Sequence, residues 1–294
     1  MIYLILSILS STAIYIVFKL IGRFKVFTFS AIVINYFAAC LAGFFLSKKN
    51  PFSSDYLSES WLYLAVIIGI MFIVMFFLIG KSTQKAGVAV TSVAVKMSVI
   101  FPMAFSIWID SSDNLTPLKF SGILLALLAV FLTVYKPSAA RVDKRIILLP
   151  AVLFVGMGIV DSFVKYSQAT YINNDLTPVF STLVFASAAI VGVLVLPFNK
   201  KALKDLYKGY TLLLGTLLGL VNFGSIYFLI LALNHTNINT GEQAMGSVIF
   251  GTNNIGIVTL GVIVGFALFR ERPKPINWAG IVLSIIAIVM LTSS

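Results

Sequence analysis

Runs of about twenty apolar residues recur along the whole chain, the length an α-helix needs to cross a hydrocarbon core of ~30 Å. Ten such runs are present, at 2–20, 28–46, 61–80, 86–108, 118–135, 146–169, 178–197, 209–232, 243–269 and 276–292. The gaps between them are too short for a soluble domain. The ten-residue alternation of a transmembrane β-barrel is missing from these continuous runs. Of the 294 residues, 60% are hydrophobic and 11% charged, against roughly 25% charged in soluble domains. Too little polar surface remains to cover such a chain in water, so its solvent is lipid. The expected fold is an all-α polytopic membrane protein.

A net charge of +11 would suit a nucleic-acid binder if the basic residues gathered on one face. They lie instead in short clusters between apolar runs, as in membrane loops. Loops after odd-numbered spans hold Arg23, Lys25, Lys81, Lys85, Lys136, Arg141, Lys144, Arg145, Lys200, Lys201, Lys204, Lys208, Arg270, Arg272 and Lys274. Loops after even-numbered spans hold only Lys48 and Lys49. The positive-inside rule places the odd loops in the cytoplasm and both termini outside. The stretch MIYLILSILSSTAIYIVFK has no basic residue ahead of its apolar part, so a first spanning helix is expected there and not a cleaved signal.

Chemistry-bearing motifs are sparse. One cysteine, Cys40, excludes an intrachain disulfide and a cysteine metal site, and one histidine, His235, excludes a histidine cluster. No HExxH, paired aspartate motif, Ser/His/Asp set or P-loop is present. The expectation is a chain that is not an enzyme, carries no cofactor or metal, and takes any energy for pumping from a gradient or a partner.

The chain also resembles itself. LKFSGILLALLAVFL (118–132) lies on INWAGIVLSIIAIVM (276–290) without gaps, pairing Gly122 with Gly280, Phe120 with Trp278 and Ala129 with Ala287. IYIVFK (14–19) lies on VDSFVK (160–165), pairing Lys19 with Lys165. Two halves of five spans follow, 1–138 and 139–294. An odd number of spans per half gives the halves opposite orientations, the inverted repeat of secondary transporters, which bind substrate near the midplane.

With its ten spans and this duplication, the chain resembles the drug/metabolite transporter superfamily, EamA-like branch. The closing FRERPKPINWAGIVLSIIAIVML carries much of the likeness, with Glu271, Trp278 and Gly280 at the family's acidic, aromatic and glycine positions. Asp113, Phe120 and Gly122 fill the looser first-half counterparts, and Pro102 matches the proline often seen in span four. The resemblance implies alternating access around a cavity walled by spans 1, 3, 4, 6, 8 and 9. It implies export of a small polar metabolite, an amino acid or related zwitterion, from a bacterial cytoplasmic membrane. A channel or other non-transporting membrane protein is the alternative, with an intramembrane enzyme behind it. Partners are lipid, the small-molecule substrate and a coupling proton on Asp161 or Glu242; monomer and homodimer stay open.

Charges inside spans cost about 2.5–3.5 kcal/mol each on insertion scales and face the bundle interior or a wet cavity. Lys96 lies within a turn of the middle of span four, with Thr91, Ser92 and Ser98 nearby. Asp161 lies roughly 5 Å past the centre of span six. Lys165 follows at i+4, in the orientation favourable for pairing, and is close enough to the span end to snorkel. Asp161 thus has two available partners, Lys165 on its own helix and Lys96 on another. Glu242 opens span nine as a substrate contact or as a capping-box acid with Asn239. Asn35, Asn222 and Asn253 complete the candidate cavity set, with helix–helix hydrogen bonding as their plainer role. The glycines of GTLLG (Gly215, Gly219) and GVIVG (Gly261, Gly265) permit close helix approach.

Overall fold

A computed structural model describes residues 2–47, 49–102, 104, 116–134, 144–172, 176–233 and 246–292. The regular structure among them is helical, with no strand. In chain order the helices are α1 (Ile2–Arg23), α2 (Thr28–Leu46), α3 (Ser54–Leu57), α4 (Leu62–Lys85), α5 (Val88–Met97) and α6 (Pro117–Val134). They continue with α7 (Lys144–Thr170), α8 (Thr177–Val195), α9 (Lys200–Asp205), α10 (Gly209–Leu233), α11 (Gly246–Phe269) and α12 (Pro275–Thr292). Among the described residues, seven stretches, in α1, α2, α4, α7, α8, α10 and α11, are long and apolar enough to cross a membrane. Val88–Pro102, Phe120–Thr133 and Pro275–Leu291 are shorter apolar helical stretches. The chain is a polytopic, all-helical membrane protein.

Span four departs from the expected unbroken run. Helix α5 stops at Met97, residues 98 and 99 form a turn, and helical geometry resumes at Ile100. Pro102 explains the position. A proline ring has no N–H for the Ser98 carbonyl and crowds it, so the i→i−4 ladder is interrupted at that turn. Phe101 N–H bonds to Ser98 O at 3.0 Å instead, a tighter i→i−3 closure.

The chain forms two compact units, and each draws on both the first and the second half of the sequence. The first comprises 1–16, 82–158 and 224–294; the second comprises 17–81 and 159–223. The division falls inside α1, α4, α7 and α10.

In the first unit, α6 and α12 form the principal helix pair. A side chain at Gly122 would strike Leu291, and one at Gly280 would strike Thr133. Laying 118–133 on 276–291 pairs Gly122 with Gly280 and Thr133 with Leu291, so the same contact occurs twice with roles exchanged. The two helices run antiparallel, and their buried positions match: Gly122, Ala126, Ala129, Val130 and Thr133 on one, Gly280, Ser284, Ala287, Ile288 and Leu291 on the other. Helix α5 packs on α11 beside them, with Gly261 against Ser92 and Gly265 near Ala89 N.

The second unit repeats the device on α2 and α8. Gly43 abuts Thr182 while Gly192 abuts Val33. Thr28–Leu46 laid on Thr177–Val195 without gaps pairs these residues in the same crossed fashion. Gly69 of α4 sits on Val184 O, Ser187 Cβ and Ala188 N of α8; Gly219 of α10 sits on Asn35 O, Ala38 Cβ and Ala39 N of α2. Under the same pairing those are corresponding atoms of corresponding residues. Only glycine lets backbone approach backbone this closely, which gives GTLLG and GVIVG their packing role.

Candidate functional site

In the first unit the candidate site is built outward from Lys96. Lys96 is half-buried in the last turn of α5, immediately before the break. It stands four residues after Ser92, on the side of α5 that meets α11. The antiparallel register set by Ser92 with Gly261 and Ala89 with Gly265 carries Lys96 level with Ile257, one turn from Asn253. A helix C-terminus presents carbonyls without intrahelical partners and partial negative charge, so the break stabilises a cation at its last turn. Thr91, Ser92 and Ser98 are not free for a ligand in the same way. Thr91 Oγ1 donates to Gly87 O at 2.7 Å, Ser92 Oγ to Ala89 O at 3.0 Å and Ser98 Oγ to Val95 O at 2.5 Å.

Helices α1, α10 and α11 supply a neutral polar seam in the same unit. Ser7 Oγ donates to Ser225 O at 2.9 Å, and Gly256 lets α11 approach Ile8 of α1. Thr12 and Asn253 are 1% and 3% exposed, yet Thr12 Oγ1 and Asn253 Oδ1 make no hydrogen bond among the described residues. A buried polar atom left so costs about 1–3 kcal/mol, and such atoms in a native fold point to a bound polar group or water. Thr12 escaped the sequence reading because SILSSTAIY scans as one apolar span. Its only signal was four hydroxyls in six residues.

In the second unit, Asn35 and Asn222 join α2 to α10. Asn222 Nδ2 lies 3.2 Å from Asn35 Oδ1, and both residues are buried. With its amide turned over, Asn35 donates to Leu218 O and accepts from Tyr36 N–H, both at 3.2 Å. Either way the residue is a helix–helix tie, the plainer of its two expected roles. Asp161 is half-buried and Lys165 exposed on α7, and the unbroken helix between them puts both on one face. Glu242 and His235 lie outside the described residues.

Two acids act as caps from far along the chain. The Glu271 carboxylate accepts from Val88 N at 2.9 and 3.0 Å and from Ala89 N at 3.4 Å, holding the start of α5. Gly87, at φ +107°, has no side chain to do this, and a Cβ there would meet the carboxylate. Asp205, at the end of α9, accepts from Phe27 N at 2.8 Å just before α2, from Thr211 Oγ1 at 2.9 Å and from Lys208 Nζ at 2.6 Å. Burial alone would raise its pKa, but the Lys208 ammonium and the two hydrogen bonds favour the carboxylate and hold it below the ordinary value. No group of three or more metal-ligating side chains occurs among the described residues.

No family model matches the chain. It is similar to an uncharacterized protein of Haemophilus influenzae, 29% identical over 300 residues that span 98% of this chain and 96% of the relative. A solved crystal structure of another protein shares the fold at a TM-score of 0.58 and 12% identity, over 97% of this chain and 98% of that one.

Proposed function

We propose that the chain is a ten-span secondary transporter of the drug/metabolite transporter superfamily, EamA-like branch, with halves 1–138 and 139–294 as inverted repeats. The carrying observation is the interrupted span four with Lys96 on the turn before the break. Discontinuous membrane helices of this kind build substrate sites at the midplane, where their free backbone groups meet charge. Irregular backbone at that depth is tolerated only where it is buried in protein or lines a cavity. Antiparallel contacts made twice with roles exchanged support the duplication, since a two-fold axis across the helices generates that pattern. Eighteen residues in each of α6 and α12 rise about 27 Å, which supports counting both as spans. The Haemophilus influenzae relative supports a bacterial setting, and the cytoplasmic membrane is part of the proposal.

Lys96 binds the anionic end of a small zwitterionic metabolite. Asn253 and Thr12 supply hydrogen bonds, and Asp161 or Glu242 carries a coupling proton. A ligand that binds only the folded state raises the melting temperature, so a panel of amino acids and related zwitterions identifies the substrate. Counterflow of that ligand in proteoliposomes then tests transport. Lys96→Met keeps the aliphatic stem and removes the charge. Loss of one charge-assisted bond, about 1.5–3 kcal/mol, lowers ligand affinity roughly 10- to 100-fold with little change in the unliganded melting temperature. Undiminished counterflow in that variant would remove Lys96 from the site, and conductance without counterflow would make the protein a channel.

A further inference from the structure

We propose that α9 and its flanks form a docking surface for the anionic headgroups of bilayer phospholipids. The segment joins two helices of spanning character, α8 and α10, so it lies at the membrane boundary. Its inner face is fastened in advance. Ala202 is fully buried, clusters with Val33 and Leu196, and its carbonyl accepts from Ser30 Oγ at 2.8 Å. Asp205 turns inward to cap α2, and Asn199 Oδ1 caps α9 itself by accepting from Ala202 N at 3.1 Å.

The outer face carries the opposite character. Lys200, Lys201 and Lys204 are exposed, and none has an ion-pair partner among the described residues. The one acid of the segment, Asp205, is taken by Lys208 and the α2 cap. Phe198 is 90% exposed and Tyr207 77% exposed, on either side of the lysines. A tyrosine settles at headgroup level, and an exposed phenylalanine beside it reaches the acyl boundary. A cluster of four to eight basic residues immediately beside a span attracts anionic lipid. Phe24 stacks on Tyr210 at 5.1 Å and brings Arg23 and Lys25 to the same patch. Charge complementarity selects phospholipid phosphates with net negative headgroups over zwitterionic ones.

The test uses full-length protein in neutral detergent, titrated with phosphatidylglycerol, phosphatidylcholine or inorganic phosphate while tryptophan fluorescence follows thermal unfolding. Phosphatidylglycerol is expected to raise the melting temperature saturably, an effect that salt weakens, whereas the other two leave it unchanged. The variant K200Q/K201Q/K204Q is expected to need about a hundredfold more phosphatidylglycerol, roughly fivefold per lysine. Each single exchange, used should the triple variant not fold, is expected to need about fivefold more. An equal shift with phosphatidylcholine, reproduction by free phosphate, or a native titration in the variants would overturn the proposal. None of these readouts depends on transport.

Discussion

Asp205 shows how one side chain can serve two helices far apart in sequence. Its carboxylate ends α9 and holds the Phe27 N–H ahead of α2. Its pKa is lowered in the fold, so it adds stability that is fully present above the unfolded value of about 3.9. That contribution is lost as pH falls through the folded value. Asp205→Asn keeps the size but weakens the cap and leaves Lys208 without its carboxylate. The expected cost at neutral pH is about 1 kcal/mol, or roughly 2 °C in melting temperature for a chain this long. The gap between variant and native should close as pH falls below the usual carboxylate range. Melting curves across pH in detergent measure it. A gap that stays constant into acid would mean that the ionised carboxylate is not what stabilises α2.

Helix α5 is where element-scale physics bears on function. Pro102→Ala restores an N–H to the Ser98 carbonyl and removes a clash, and alanine is about 3 kcal/mol better than proline inside a helix. The variant should gain helicity and thermal stability; on the transport function proposed above it should also lose counterflow, because a continuous span no longer offers carbonyls beside Lys96. Circular dichroism, melting and proteoliposome assays read the three effects. Full transport by a demonstrably continuous helix would sever the break from function. The proline was legible in the sequence, and so was the depth of Lys96. The break was not, because a proline within an apolar run need not interrupt the helix, as Pro150 inside α7 shows. Caps were equally hidden. Glu271 read as a family marker, but its partner Val88 lies far back in the chain, and no local pattern announces a cap donated from such a distance. The asparagines were visible as polar groups within apolar runs. Whether each ties helices, as Asn35 does, or holds an atom with no hydrogen bond among the described residues, as Asn253 Oδ1 does, depends on neighbours that periodicity does not name.

At the scale of the whole molecule, the glycine contacts decide how the halves depend on one another. Gly69 from the first half rests on α8 of the second, and Gly219 from the second rests on α2 of the first. The pairs α2 with α8, α5 with α11 and α6 with α12 likewise join one half to the other. Neither half therefore keeps its principal packing surfaces to itself. Without a hydrophobic driving force in lipid, membrane helices are held by such close van der Waals fits, so a half deprived of its mate loses most of what orders it. Fragments 1–138 and 139–294 expressed separately should be degraded or lack a cooperative melting transition. Expressed together, they should copurify in equal amounts through a tag on one alone and melt near the intact chain. The cut falls between α6 and α7, and severing the chain there costs chain-closure entropy. A sharp transition from either fragment alone would show that its packing is internal after all. The contacts at Gly122 and Gly280 would then join two self-sufficient halves and not one interlocked fold.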